Sequence, residues 1–77
     1  MKFKIEPEMT YRVFDDFFEE ITEKLPDGSY IVSVKWPMDS WVFGFILSFG
    51  EYIEVLEPKS LRKIIKNMIA KIVRKYL

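Results

Sequence analysis

Apolar and charged residues alternate at the beginning of the chain. Phe3 and Ile5 have charged neighbours on both sides, and this period of two predicts a short strand with one buried face. Pro7 follows, and its fixed φ and missing N–H suit the first turn of a helix. Apolar residues then recur every three or four positions, so we predict a first helix that runs to about Lys24. Its apolar stripe, with Phe18 in the core, consists of Phe14, Phe17, Phe18, Ile21 and Leu25.

A second strand is predicted after a turn at residues 26–29. The Pro, Asp and Gly residues of that turn each favour a tight reversal of the chain. Residues 29–36 are rich in β-branched and aromatic types, which favours a central strand. Pro37 removes a donor from the hydrogen-bond ladder and ends the strand. One face of this strand carries Tyr30, Val32, Val34 and Trp36.

A short apolar helix is predicted next, over residues 41–49. Asp39 or Ser40 can cap its N-terminus, and Gly50 suits the C-terminal cap. Because no charged residue lies between Trp41 and Phe49, we expect this helix to be buried on more than one side.

A third strand and a last helix complete the pattern. Residues 52–56 favour a strand that Pro58 closes, and residues 59–77 favour a helix. The order β-α-β-α-β-α predicts a single α+β domain over residues 1–77, a three-stranded sheet with helices packed on one face. The apolar stripe of the last helix consists of Leu61, Ile64, Ile65, Met68, Ile72 and Leu77.

The composition excludes most kinds of catalysis. A chain of 77 residues and 9.3 kDa allows one small domain. It has no Cys and no His, which excludes thiol chemistry, thiolate and imidazole metal ligands, and proton transfer through His. Ser40 and Ser48 have no base to activate them, and no Gly-rich phosphate loop is present. We therefore predict no enzyme activity, no catalytic residue, no cofactor and no metal site.

Targeting signals are not apparent in the sequence. The first residues lack the apolar run of a signal peptide. The longest apolar stretch, residues 41–49, is far shorter than the roughly 20 residues that a membrane helix needs. We expect a cytoplasmic protein without a membrane partner.

The formal net charge of +0 conceals a strong separation of charge. Residues 1–58 contain twelve acidic and five basic side chains, whereas residues 59–77 contain seven basic and no acidic ones. Such a helix either exposes a solvated face that complements its own dipole and the acidic first helix, or meets phosphate or an acidic partner. In the second case Arg62, Lys63 and Lys66 are the candidate ligand-binding residues for a nucleotide or short single-stranded oligonucleotide.

The chain has more aromatic residues than a small core can bury. Two Trp, four Tyr and seven Phe occur in 77 residues, and a domain of this size buries only about 60% of its unfolded surface. Most of these rings are expected in the core, but part of the aromatic area should face a partner. Trp36, Trp41 and Phe45 are the candidate interface residues.

Residues 47–62 carry the most specific motifs of the chain. A short helix ends with Leu47 to Gly50, a strand ends with Val55 to Pro58, and Leu61-Arg62 opens a basic helix that ends near Tyr76. This pattern resembles the C-terminal extension, of the WCX type, that follows the WYL domain in bacterial helix-turn-helix transcriptional regulators. The upstream strand, helix and turn are similar to that family as well.

The resemblance implies a ferredoxin-like module that supports dimerisation and transmits effector binding to a DNA-binding domain. A homodimer is therefore the expected assembly. The Trp-Tyr-Leu signature and the helix-turn-helix belong to other domains of the family and are not found in these residues. DNA is accordingly an expected partner only through those domains, and the alternative function is the binding of a nucleotide or oligonucleotide effector.

Overall fold

Four antiparallel strands form one sheet, in the order β2-β3-β1-β4, in a computed structural model that describes residues 1–77. The strands are β1 (Lys2–Ile5), β2 (Ile21–Lys24), β3 (Tyr30–Ser33) and β4 (Ile53–Glu57), and the helices are α1 (Thr10–Phe17), α2 (Ser40–Leu47) and α3 (Lys59–Arg74). Short 3-10 turns precede α1, follow α1 and precede β4. The predicted α+β class is confirmed, whereas the predicted number of three strands is wrong.

The central strand β1 sets the buried face of the sheet. Phe3 lies opposite Val32 on one side and Val55 on the other, and Ile5 lies opposite Tyr30 of β3. Phe3 and Ile5 are completely buried, while the lysines beside them are half-buried. The alternation in the sequence therefore predicted both the strand and its inner face.

All three helices cover this same face of the sheet. Each helix contributes buried side chains to the single hydrophobic cluster that contains Phe3 and Ile5. These side chains are Val13 and Phe17 of α1, Val42 and Ile46 of α2, and Leu61 and Ile65 of α3. The prediction of helices packed on one face is confirmed.

The first helix is shorter than predicted, because the chain forms a strand in its place. α1 ends at Phe17, a 3-10 turn follows at Phe18–Glu20, and β2 then pairs with β3. The predicted turn at residues 26–29 is the loop of this hairpin, where Leu25 N donates to Ser29 O at 2.8 Å. A tight turn places the preceding residues beside the open edge of β3, and pairing there satisfies their backbone groups.

Because α1 ends early, two neighbouring phenylalanines lie in opposite environments, one in the core and one at the surface. Phe17 is 1% exposed and lies in the core, whereas Phe18 is 65% exposed and Phe14 is 44% exposed. The predicted core position of Phe18 is therefore wrong. The ring of Phe14 packs edge-on against Tyr30 of β3 at 5.6 Å, and the rings of Phe14 and Phe18 are 5.8 Å apart.

The turn at Gly28 and the N-terminal cap at Asp39 are as predicted, whereas α2 ends with Ser48 as its C-terminal cap and Gly50 opens the next 3-10 turn. Gly28 has φ +90 and Gly50 has φ +61, conformations that glycine adopts without strain. The Asp39 carboxylate accepts a hydrogen bond of 3.0 Å from a backbone N–H in the first turn of α2. In the hairpin loop, hydrogen bonds from the Ser29 backbone and side chain lower the pKa of the Asp27 carboxyl.

The apolar helix α2 is buried mainly on one side. Val42 and Ile46 are buried and Phe45 is half-buried, but Trp41 is 68% exposed. The expectation of burial on more than one side is therefore wrong at Trp41. Phe43 and Leu47 are half-buried against the core, and the exposed Trp41 stacks on Phe45.

Substitution of the two neighbouring phenylalanines should separate core from surface. We expect Phe17→Ala to lower the free energy of unfolding by about 3–5 kcal/mol, because it removes a ring from the centre of the core. Phe18→Ala should cost less than about 1 kcal/mol. Urea denaturation followed by circular dichroism measures both values. Equal losses for the two variants would contradict the observed end of α1.

Candidate functional site

The apolar stripe of α3 extends beyond the rest of the domain. Leu61 and Ile65 are buried and Met68 is half-buried, but every residue from 69 to 77 is exposed. Ile72 and Leu77, which belong to the predicted apolar stripe, are 42% and 97% exposed. Beyond Met68 the stripe continues on the same face of the helix, and its members there are exposed.

A groove of about 700 Å³ lies between α3, β4 and the end of α2. Its charged side chains are Glu54, Arg62, Lys63 and Lys66. The three candidate ligand-binding residues of the sequence thus lie at one groove. Its apolar lining is wholly aliphatic and consists of Ile46, Leu47, Ile53, Val55, Ile65 and Ile69.

The three basic residues of the groove are not equally available to a ligand. Arg62 donates a hydrogen bond of 3.4 Å to the Glu54 carboxylate and another to the Val55 carbonyl oxygen. Its guanidinium therefore joins α3 to β4. Lys63 and Lys66 take part in no ion pair and are exposed. An anion in the groove would meet these two ammonium groups first.

The three candidate interface residues lie together in one aromatic cluster. The rings of Trp36 and Phe45 are 5.6 Å apart at a steep angle, and Trp41 stacks on Phe45 at 5.5 Å with an interplanar angle of 8°. Trp36 and Phe45 are half-buried and pack against the hydrophobic core. Trp41 is thus the ring that a partner can reach.

Arg12 joins α1 to the end of α2, which the sequence analysis did not anticipate. Its guanidinium lies 3.8 Å from the centre of the Phe49 ring and donates to Ser48 Oγ at 3.0 Å. It also forms an ion pair of 3.6 Å with Asp16, one turn along α1. The sequence signal for this contact was a basic residue in an otherwise acidic helix. The contact fixes α1 beside α2.

A second exposed aromatic surface lies on α1. Tyr11, Phe14 and Phe18 follow one another at spacings of three and four residues, and their exposures range from 44% to 65%. We call these three residues the α1 aromatic stripe. Asp15 and Glu19 are exposed acidic neighbours that take part in no ion pair. The sequence predicts Phe18 in the core, so it does not indicate this exposed surface.

The acidic residues of the domain do not assemble into a metal-binding group. No cluster of three or more Asp or Glu side chains is close enough to hold a metal ion. The carboxylate of Asp16 is instead paired with Arg12. None of the helices has the length and hydropathy that crossing a membrane requires.

Comparison with known proteins assigns a family to this arrangement. The family model described as WCX domain matches residues 1–73. A relative from Bacillus subtilis (strain 168), "Uncharacterized HTH-type transcriptional regulator YobV", is 44% identical over 36 residues. This alignment spans 47% of the chain and 12% of the relative's length. No solved structure matches the chain.

Substitution of the groove cations should show which of them supports the fold. We expect Arg62→Ala to lower the free energy of unfolding by about 1–2 kcal/mol, because it removes a charged hydrogen bond to Glu54 and leaves the Val55 carbonyl unpaired. Lys63→Ala is the matched control and should change it by less than about 0.5 kcal/mol. Thermal unfolding of both variants measures the difference. A larger loss for Lys63→Ala would contradict the structural role of Arg62.

Proposed function

The chain belongs to the WCX domain family, and from this membership we propose that it is the non-catalytic regulatory and oligomerisation module of a bacterial transcriptional regulator. The family match over residues 1–73 and the relative's description as an HTH-type transcriptional regulator support this function. In this role the module links two copies of the regulator. It also transmits the binding of an effector to a DNA-binding domain of the same protein.

The exposed Trp41 is the observation that carries the oligomerisation role. A Trp side chain buries a large area on association and is frequent among the residues that dominate interface energies. Trp41 is 68% exposed, and its parallel stacking on Phe45 holds the ring in one orientation. Trp36 packs on the other side of Phe45 and supports it. A preorganised aromatic surface of this kind loses little conformational entropy on binding.

The groove at α3 supports ligand binding as a second candidate function. The phosphates of a nucleotide or a short single-stranded oligonucleotide would contact Lys63 and Lys66, and Arg62 would have to leave Glu54 to join them. No aromatic side chain lines the groove, so bases would find no ring to stack on there. The regulatory and oligomerisation role is therefore the stronger of the two.

The oligomerisation role is tested by the molar mass of the 77-residue chain in solution. We expect light scattering over a concentration series to give a monomer–dimer equilibrium. Trp41→Ser should raise the dissociation constant about 30-fold, as for other interface residues of large effect. Trp41→Phe keeps an aromatic ring and serves as the control. A chain that stays monomeric at every concentration would contradict the proposal.

The ligand-binding candidate is tested with ATP and a short single-stranded DNA as probes. If the groove holds their phosphates, the double variant Lys63→Ala/Lys66→Ala should weaken binding and flatten its dependence on salt. The control variant Lys35→Ala/Lys59→Ala removes the same charge outside the groove. Isothermal titration calorimetry measures both. Equal binding by the two double variants would remove the groove as the site.

A further inference from the structure

Residues 69–76, which comprise the end of α3 and the turn after Arg74, present an exposed apolar surface. We call this segment the exposed end of α3. Leu61 and Ile65, earlier on the same helix, face the core and are buried. Their stripe continues at spacings of three and four residues, and its exposed members are Ile69, Ile72, Val73 and Tyr76. These side chains point along the same face as the buried ones. Apolar residues at this spacing are typical of a helix that packs against another element. The exposed part of the stripe has no such element against it.

The exposed end of α3 is also strongly basic. Lys71, Arg74 and Lys75 lie along it, and residues 59–77 contain no acidic side chain. Arg62 is the only basic residue of α3 in an ion pair. The positive charge at the end of the helix is therefore not neutralised within the fold.

The positive charge at the end of α3 argues against α3 of a second copy as its partner. Pairing two α3 ends would bring like charges within a few ångströms of each other around an apolar contact. Like-charge contacts in an interface are destabilising and help to exclude wrong partners. The partner surface should be apolar and acidic instead.

The domain itself has a surface with these properties on α1. The α1 aromatic stripe exposes three rings, and Asp15 and Glu19 lie beside it without an ion pair. Both surfaces are apolar, and the charged neighbours of the α1 aromatic stripe are acidic whereas those of the α3 end are basic. A second copy of this chain therefore offers the complement that α3 lacks.

We propose that the exposed end of α3 docks on the α1 aromatic stripe of a second copy, and that the two copies exchange this contact reciprocally. Ile72, Val73 and Tyr76 pack on the three rings, while Lys71 and Lys75 lie near Asp15 and Glu19 of the other copy. This inference rests on the proposed oligomerisation role and adds a second contact between two copies to the one proposed at Trp41. Two equivalent contacts related by a twofold axis close the assembly at a dimer.

Two charge-reversal variants of the 77-residue chain test the exchange. The first, Lys71→Glu/Lys75→Glu, makes the α3 end acidic, and the second, Asp15→Lys/Glu19→Lys, makes the α1 surface basic. Each variant alone places like charges in both contacts, so its dissociation constant should rise at least about tenfold. An equimolar mixture restores opposite charges in both contacts of a heterodimer. Analytical ultracentrifugation and native mass spectrometry should therefore show a heterodimer with an affinity close to that of the original chain.

The four substituted residues are exposed and unpaired, so both variants should fold as the original chain does. Unfolding curves check this. A separate pair tests the apolar part of the contact: Ile72→Asn should weaken the dimer, whereas Ala70→Asn, on the opposite face of α3, should not. Loss of the dimer in Ile72→Asn alone supports the docking, and equal affinity of the two variants overturns it.

The outcomes separate this inference from the role on which it rests. If Asp15→Lys/Glu19→Lys leaves the dimer unchanged, α3 does not dock on α1 and the inference is overturned. If both charge reversals leave the dimer unchanged while Trp41→Ser dissociates it, the oligomerisation role stands and the inference is wrong. A chain that is monomeric at all concentrations overturns both.

Discussion

The packing of Phe17 against four other aromatic rings holds the two layers of this domain together. Its ring centre lies 6.3 Å from that of Phe3 in the central strand and 5.5 Å from that of Trp36 after β3. It lies 6.0 Å from the ring centres of both Phe45 and Phe49, at α2. One side chain of α1 thus joins the sheet and the neighbouring helix. Tyr11, Phe14, Phe18 and Trp41 remain outside this cluster and are exposed, and the proposed contacts arise from the surfaces that they form.

Local signals in the sequence predict most of the fold. The alternation in β1, the cap at Asp39 and the positive φ of Gly50 each depend on residues within a turn or two of one another. Strand β2 was not predicted, because the spacing of its apolar residues also suits a helix. Only its pairing with β3 makes it a strand. The exposure of Phe18 follows from the same long-range contact.

The candidate site could be predicted in its residues but not in its geometry. Lys63 and Lys66 do lie at one groove, as their spacing on a helix allows. Arg62 of α3 forms an ion pair with Glu54 of β4, so the contact joins two different elements. The local spacing of residues in the sequence does not predict it. The apolar stripe over residues 61–76 is likewise uniform in sequence. Where the core ends along it depends on how much of α3 packs against β4.

Amide hydrogen exchange along α3 tests most directly whether a second copy completes this domain. Every residue from 69 to 77 is exposed in the single chain, and helical segments with little packing open readily. We expect exchange at residues 69–76 to slow as the protein concentration rises through the dimer range, together with exchange in α1. Exchange at residues 69–76 that is equally fast at every concentration, while light scattering reports a dimer, would contradict the docking of α3.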